Sequence, residues 1–125
     1  MARLKFLKDG SISEQSIHKY VLEYISKKYP KFRQLILHFP NEGKRSPRYG
    51  ALMKALGMRK GVADLFIAVP KRGFGGAWIE LKSENGVLSM EQEIFLQDMK
   101  AQNFYACVCF SANDAIEMID WYFNV

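Results

Sequence analysis

A chain of 125 residues has room for one hydrophobic core and so for one domain, residues 1–125. With 49% hydrophobic and 25% charged residues it is not a disordered or low-complexity chain, and no apolar run approaches the ~18 residues of a membrane span. Eighteen Lys and Arg against thirteen Asp and Glu leave +5, which favours a polyanionic partner such as nucleic acid or a membrane surface.

In chain order, the opening MARLKFLKDG is broken by Lys5 and Lys8 and lacks the apolar stretch of a signal peptide, so a cytoplasmic or nucleoid setting is expected. Residues 13–29 predict an amphipathic helix with Ile17, Tyr20, Val21, Tyr24 and Ile25 on one stripe. Ser11 and Glu14 have capping-box spacing at its start. RQLILHF (33–39) has a strand's composition and stops at Pro40. NEGKRSPR (41–48) is a basic loop, and Tyr49, Leu52, Met53 and Leu56 predict a short helix that Gly57 ends. GVADLFIAVP (61–70) and AWIELKS (77–83), joined by KRGFGG (71–76), predict a hairpin. Ser89 opens a helix with Gln92 at its third position and Phe95, Leu96 and Met99 inward. FYACVCF (104–110) is a fourth strand, whose Cys107 and Cys109 are expected as free, buried thiols. SANDAIEMIDWYF (111–123) closes the chain as a helix with Ile116, Ile119, Tyr122 and Phe123 inward. The resulting order, αβ(α)ββαβα, predicts an α/β fold: one mixed four-stranded sheet flanked by helices.

The chemistry concentrates in the hairpin. Side chains alternate along a strand, so Leu65, Ile67 and Val69 share one face with Ala77, Ile79 and Leu81. Asp64, Glu80 and Lys82 then share the other. With the turn centred near residue 73, Asp64 and Glu80 fall opposite each other or one step apart. Two carboxylates at that distance repel unless a cation lies between them. A hard ion such as Mg²⁺ suits one or two carboxylates plus water. Lys82 at the rim could orient a water or stabilise developing charge, an arrangement fit for hydrolysing a phosphodiester. The plainer alternative is a salt bridge of Lys82 with Glu80 or Asp64. Glu14 and Gln92 both fall on inward stripes, and each also has a local explanation as a capping residue.

Glu14, Asn41-Glu42-Gly43, Gly61-Val62-Ala63-Asp64-Leu65, Glu80-Leu81-Lys82 and Gly86-Val87-Leu88-Ser89 with Gln92, taken in order, resemble the VRR-Nuc domain of the PD-(D/E)xK nuclease superfamily. Ala63-Asp64 stands where that superfamily commonly has Pro-Asp, a departure that removes no ligand. The resemblance implies a restriction-endonuclease-like core and DNA cleavage dependent on Mg²⁺ or Mn²⁺. It implies Asp64 and Glu80 as metal ligands with the Leu81 carbonyl, Glu14 as an accessory metal-site acid, Lys82 as catalytic lysine and Gln92 as active-site glutamine. Single-domain members resemble homodimeric resolvases of four-way (Holliday) junctions, which implies branched DNA as partner and a two-fold dimer.

Lys44, Arg45, Arg48, Arg59 and Lys60 precede the Asp64 strand and are the expected phosphate contacts. Lys71 and Arg72, at the hairpin tip, belong to the far end of the sheet. Two other functions stay open on the sequence: a non-catalytic nucleic-acid-binding module of the same fold, and a plain interaction domain.

Overall fold

A computed structural model describes residues 12–39 and 46–124. Its elements are α1 (Glu14–Lys28), a 3-10 helix (Pro30–Leu35), β1 (Ile36–His38), α2 (Pro47–Ala55), β2 (Leu65–Ile67), β3 (Ala77–Leu81), α3 (Met90–Ala101), β4 (Tyr105–Cys109) and α4 (Ala112–Phe123). The strands form one mixed sheet in the order β1-β2-β3-β4, antiparallel except for the parallel β3–β4 pair, which α3 connects. The expected α/β architecture and element order are the ones observed.

Apolar alternation decides the layers. Leu65, Ile67, Val69, Ala77, Ile79 and Leu81 are buried against Ile17, Val21 and Ile25 of α1 and Ala115, Ile119 and Tyr122 of α4. The second face of the sheet carries Trp78 and Ala106 and is covered by Phe95, Leu96 and Met99 of α3. The sheet is therefore dressed on both sides, and its polar residues on the second face lie under a helix rather than in water.

The strands are shorter than expected, β2 ending at Ile67 and β3 at Leu81, and three boundaries differ for a clear local reason. Residues 33–35 belong to the 3-10 helix: Pro30 sets its first turn, and Phe32 stacks on Phe123 with ring centroids 5.0 Å apart. Residues 61–64 are not in a strand, because the chain turns at Gly61 with φ +84°. The N-cap of α1 is Ser13, whose side chain accepts the Ser16 N–H, so Glu14 is the first helical residue and not the third position of a capping box from Ser11. Ser11 itself lies outside the described residues.

Other boundaries follow the sequence closely. Gly57, at φ +92°, ends α2, with the Met58 N–H on the Met53 carbonyl and the Gly57 N–H on the Lys54 carbonyl. The hairpin tip has positive φ at both Arg72 and Gly73, and the Phe74 N–H returns to the Lys71 carbonyl. That is the mirror-image turn whose twist matches flanking strands. Cys107 and Cys109 are free thiols with sulfurs 3.9 Å apart.

Candidate active site

Strand register brings the two acids together. Leu65 pairs with Ile79, Phe66 with Trp78 and Ile67 with Ala77. Continuing that register by one residue sets Asp64, immediately before β2, opposite Glu80. On its other side the Asp64 carbonyl accepts the Phe39 N–H at 2.8 Å, which extends the β1–β2 pairing to the same level. Main chain holds the Asp64 side chain as well: its Oδ2 accepts the Leu81 N–H at 2.8 Å.

Asp64 is 6% exposed, Glu80 1% and Lys82 7%. Ionisable groups this buried are rare without partners. Burial pushes Asp64 above the ordinary carboxylate range, opposed by the Leu81 N–H, the Glu80 side chain and the positive charge of Lys82, while the charge of Glu14 adds to the rise. Two carboxyls that act on each other in this way titrate as a unit. A hard cation beside them would offset the charge of both, and carboxylate oxygens are the donors that Mg²⁺ or Mn²⁺ prefers.

Gln92 reaches Glu80 from α3. Its Nε2 donates to Glu80 Oε1 at 3.0 Å, while its Oε1 accepts the Ser89 N–H at 2.9 Å and the Ser89 hydroxyl accepts the Gln92 N–H at 3.1 Å. The capping box and the contact with the acid are both present, on one side chain. Gly61 makes this approach possible. A Cβ there would stand 2.5 Å from the Glu91 carbonyl carbon and 2.8 Å from the Gln92 nitrogen. Sequence reasoning quoted Gly61 only within a motif; its signal is a lone glycine at a turn three residues before an acid.

Lys82 follows β3, with its N–H on the Cys109 carbonyl at 2.9 Å. Gly86 lies over its aliphatic stem: a Cβ at that position would be 3.0 Å from the Lys82 Cβ. Glu14 comes from the opposite layer. Since α1 covers the first face of the sheet and α3 the second, Glu14 and Gln92 approach from opposite layers. Glu14 instead reaches the end of β3, where its Oε1 lies 3.4 Å from the Ser83 N–H. Among the described residues no three His, Cys, Asp or Glu side chains form a metal-holding cluster.

A cleft of about 880 Å³ opens beside Glu80 and Gln92, walled by Met53, Lys54, Met58, Arg59, Lys60 and Val62 among others. Arg59 and Lys60, expected as phosphate contacts, are thus next to the acids. Arg59 is also bound to Asp98 at 2.7 Å and lies over the Phe95 ring. Arg48 is exposed on α2 and is not among the residues that line the cleft, and Lys44 and Arg45 lie outside the described residues. Sequence reasoning missed Lys54, Met53 and Met58, because nothing in the composition of α2 says which of its faces meets the sheet end. Arg72, at the hairpin tip, donates to the Trp121 and Asn124 carbonyls and is committed to the end of α4.

Two acids and a lysine buried at the open end of a hairpin, on a mixed sheet clad by helices, define an α/β domain of nuclease type. The sequence matches the VRR-NUC domain over residues 12–113, and the chain belongs to that family. A solved structure described as a VRR_NUC domain protein is similar in fold, with a TM-score of 0.79 and 22% identity over 97% of this chain and 92% of that one. Among curated proteins none matches the sequence.

Proposed function

We propose that the chain is a divalent-metal-dependent endodeoxyribonuclease that cuts branched DNA, such as a four-way junction, as a homodimer in the cytoplasm or nucleoid. The observation that carries this reading is the burial of Asp64 and Glu80 on facing positions of the hairpin, with the charge of Lys82 acting on Asp64. Keeping two acids out of water is costly unless a cation compensates them, and a domain that only bound DNA would gain nothing from the expense.

Asp64 and Glu80 would hold Mg²⁺ or Mn²⁺, with the Leu81 carbonyl as a further donor and Glu14 as an outer acid. A bound ion would polarise the scissile phosphate and lower the pKa of a water. Gln92 fixes the rotamer of Glu80 through its amide. Lys82, stiffened by Gly86, places its ammonium where it can orient the attacking water and offset charge gathering on the phosphate. Lys54, Arg59 and Lys60 hold the phosphates on either side. Cutting both strands symmetrically takes two such sites, hence a two-fold pair of chains.

The test is a cleavage assay on labelled four-way junction, flap, single-stranded and linear DNA with Mg²⁺, Mn²⁺ or EDTA. Metal-dependent cutting that falls by at least ~100-fold in Glu80→Gln and in Lys82→Met, with DNA binding kept, is the expected outcome. Binding without cutting in any metal would make the domain a non-catalytic DNA-binding module. Sedimentation of the free protein reads the dimer directly.

A further inference from the structure

The cleft beside Glu80 has walls of two kinds. Lys54, Arg59 and Lys60 supply positive charge; Met53, Met58 and Val62 supply apolar surface in the same cleft that Glu80 lines. Phosphates account for the cations, but nothing in the backbone of an intact duplex accounts for the methionines. A stacked duplex presents phosphate and sugar outward and keeps its base faces inside. A base out of the stack does offer an apolar face, and proteins receive such bases against apolar and aromatic side chains. Methionine suits this use, since its flexible, polarisable thioether adapts to any aromatic ring and so does not select among bases. The cleft's volume of about 880 Å³ lies within the range of sites that enclose small organic groups. At Gly50, on the same wall, an added Cβ would meet nothing within 4 Å, so α2 leaves the space open.

We propose that this cleft seats a single unstacked nucleobase beside the scissile phosphate, between Met53, Met58 and Val62, with Lys54 and Lys60 on the flanking phosphates. The proposal rests on the nuclease reading and narrows its substrate class: DNA in which a nucleotide at the cut position is unpaired, or is readily unstacked as at a branch. Because Glu80 and Gln92 form part of the same cleft, an extruded base brings its own phosphate to the acids. A fully stacked strand cannot fill the apolar wall and approaches the acids without that anchor.

The experiment uses one duplex carrying 2-aminopurine next to the cut position, made fully paired or with that nucleotide unpaired. Fluorescence is followed on binding in EDTA, and cutting is followed in Mg²⁺ and Mn²⁺. Wild-type protein is expected to cut the unpaired form about tenfold faster, and to change the 2-aminopurine signal of that form on binding. Met53→Ala/Met58→Ala should bring the ratio of the two rates towards one, and Met53→Leu/Met58→Leu should keep it. Equal rates on both forms with Glu80→Gln inactive would leave the nuclease reading intact and overturn the seated base. If no form is cut in either metal, the nuclease reading fails, and a fluorescence change confined to the unpaired form would still support the base seat, its absence sinking it. If the alanine pair alters sedimentation of the free protein and leaves the rate ratio unchanged, the apolar wall belongs to a contact with a second copy, which also overturns the proposal.

Discussion

The amide of Gln92 accepts the Ser89 N–H through its oxygen and donates to Glu80 through its nitrogen, so helix start and acid orientation depend on one side chain. Substituting Glu separates the two roles. Gln92→Glu keeps the acceptor that a capping box needs, but sets a like charge against Glu80. Cleavage is expected to fall by ~10-fold or more, with helix content by circular dichroism unchanged and the melting temperature regained in Mg²⁺ more than in wild type. His18 offers a second test at this scale. Its pKa is pushed down to about 4, first by burial and then by the charge of His38, with Glu14 pulling the other way. Above pH 6.5 the ring is neutral in both folded and unfolded chains; below it the unfolded chain takes a proton that the folded one refuses. Stability should fall as pH drops from 6.5 and level off below about 4, and His18→Gln should flatten that slope in thermal melts. Capping spacing made Gln92 visible in the sequence. Its reach to Glu80 was not, because that depends on how near α3 comes to the turn at Gly61.

Between residue and fold, the short elements carry the geometry. Strand β2 has only three residues, and Asp64 stands just outside it, so the acid is positioned by pairing on both flanks rather than by strand length. Alternation in the sequence puts Glu80 on the face that α3 covers, where Gln92 meets it, but it fails at Ala63, which packs with Phe95 and Leu96 rather than on the side of Leu65 because the chain is no longer a strand there. Strand ends were less legible: extended coil at 62–64 and a helical turn at 33–35 carry the same apolar composition as the strands beside them. Gly61→Ala tests the weakest joint. A Cβ 2.5 Å from the Glu91 main chain, at φ +84°, cannot be accommodated without moving α3. The expected cost is ~1–3 kcal/mol in denaturant unfolding, together with a loss of cleavage greater than the loss of folded protein. A variant that melts and cuts like wild type would show that α3 does not depend on that approach.

Seen whole, the molecule spends much of its positive charge on itself. Lys28 joins Asp120, which also accepts the Tyr24 and Tyr29 hydroxyls and so ties α1 to α4; Lys27 joins Glu23; Arg72 closes the end of α4. Arg59 is likewise paired with Asp98, so the net +5 overstates what faces DNA, and the cleft's Lys54 and Lys60 are where it counts. Lys60→Ala should weaken binding evenly across sequences and lower the slope of log affinity against log salt by about 1. Arg72→Ala should leave the slope as it was. Charge counting on the sequence could find basic residues but not their commitments, which are set by chain segments far apart.

The Arg72–Gly73 tip sits at the opposite end of the hairpin from Asp64 and Glu80. Its bridge pairs Lys71 with Phe74, one step out of register with the ladder that pairs Leu65 with Ile79 and Ile67 with Ala77. Slack of one residue therefore lies between bend and ladder, and the strands themselves fix which way the acids face. A residue inserted at the bend can be absorbed there, whereas one inserted within Leu65–Ile67 or Ala77–Leu81 would turn an acid to the other side of the sheet.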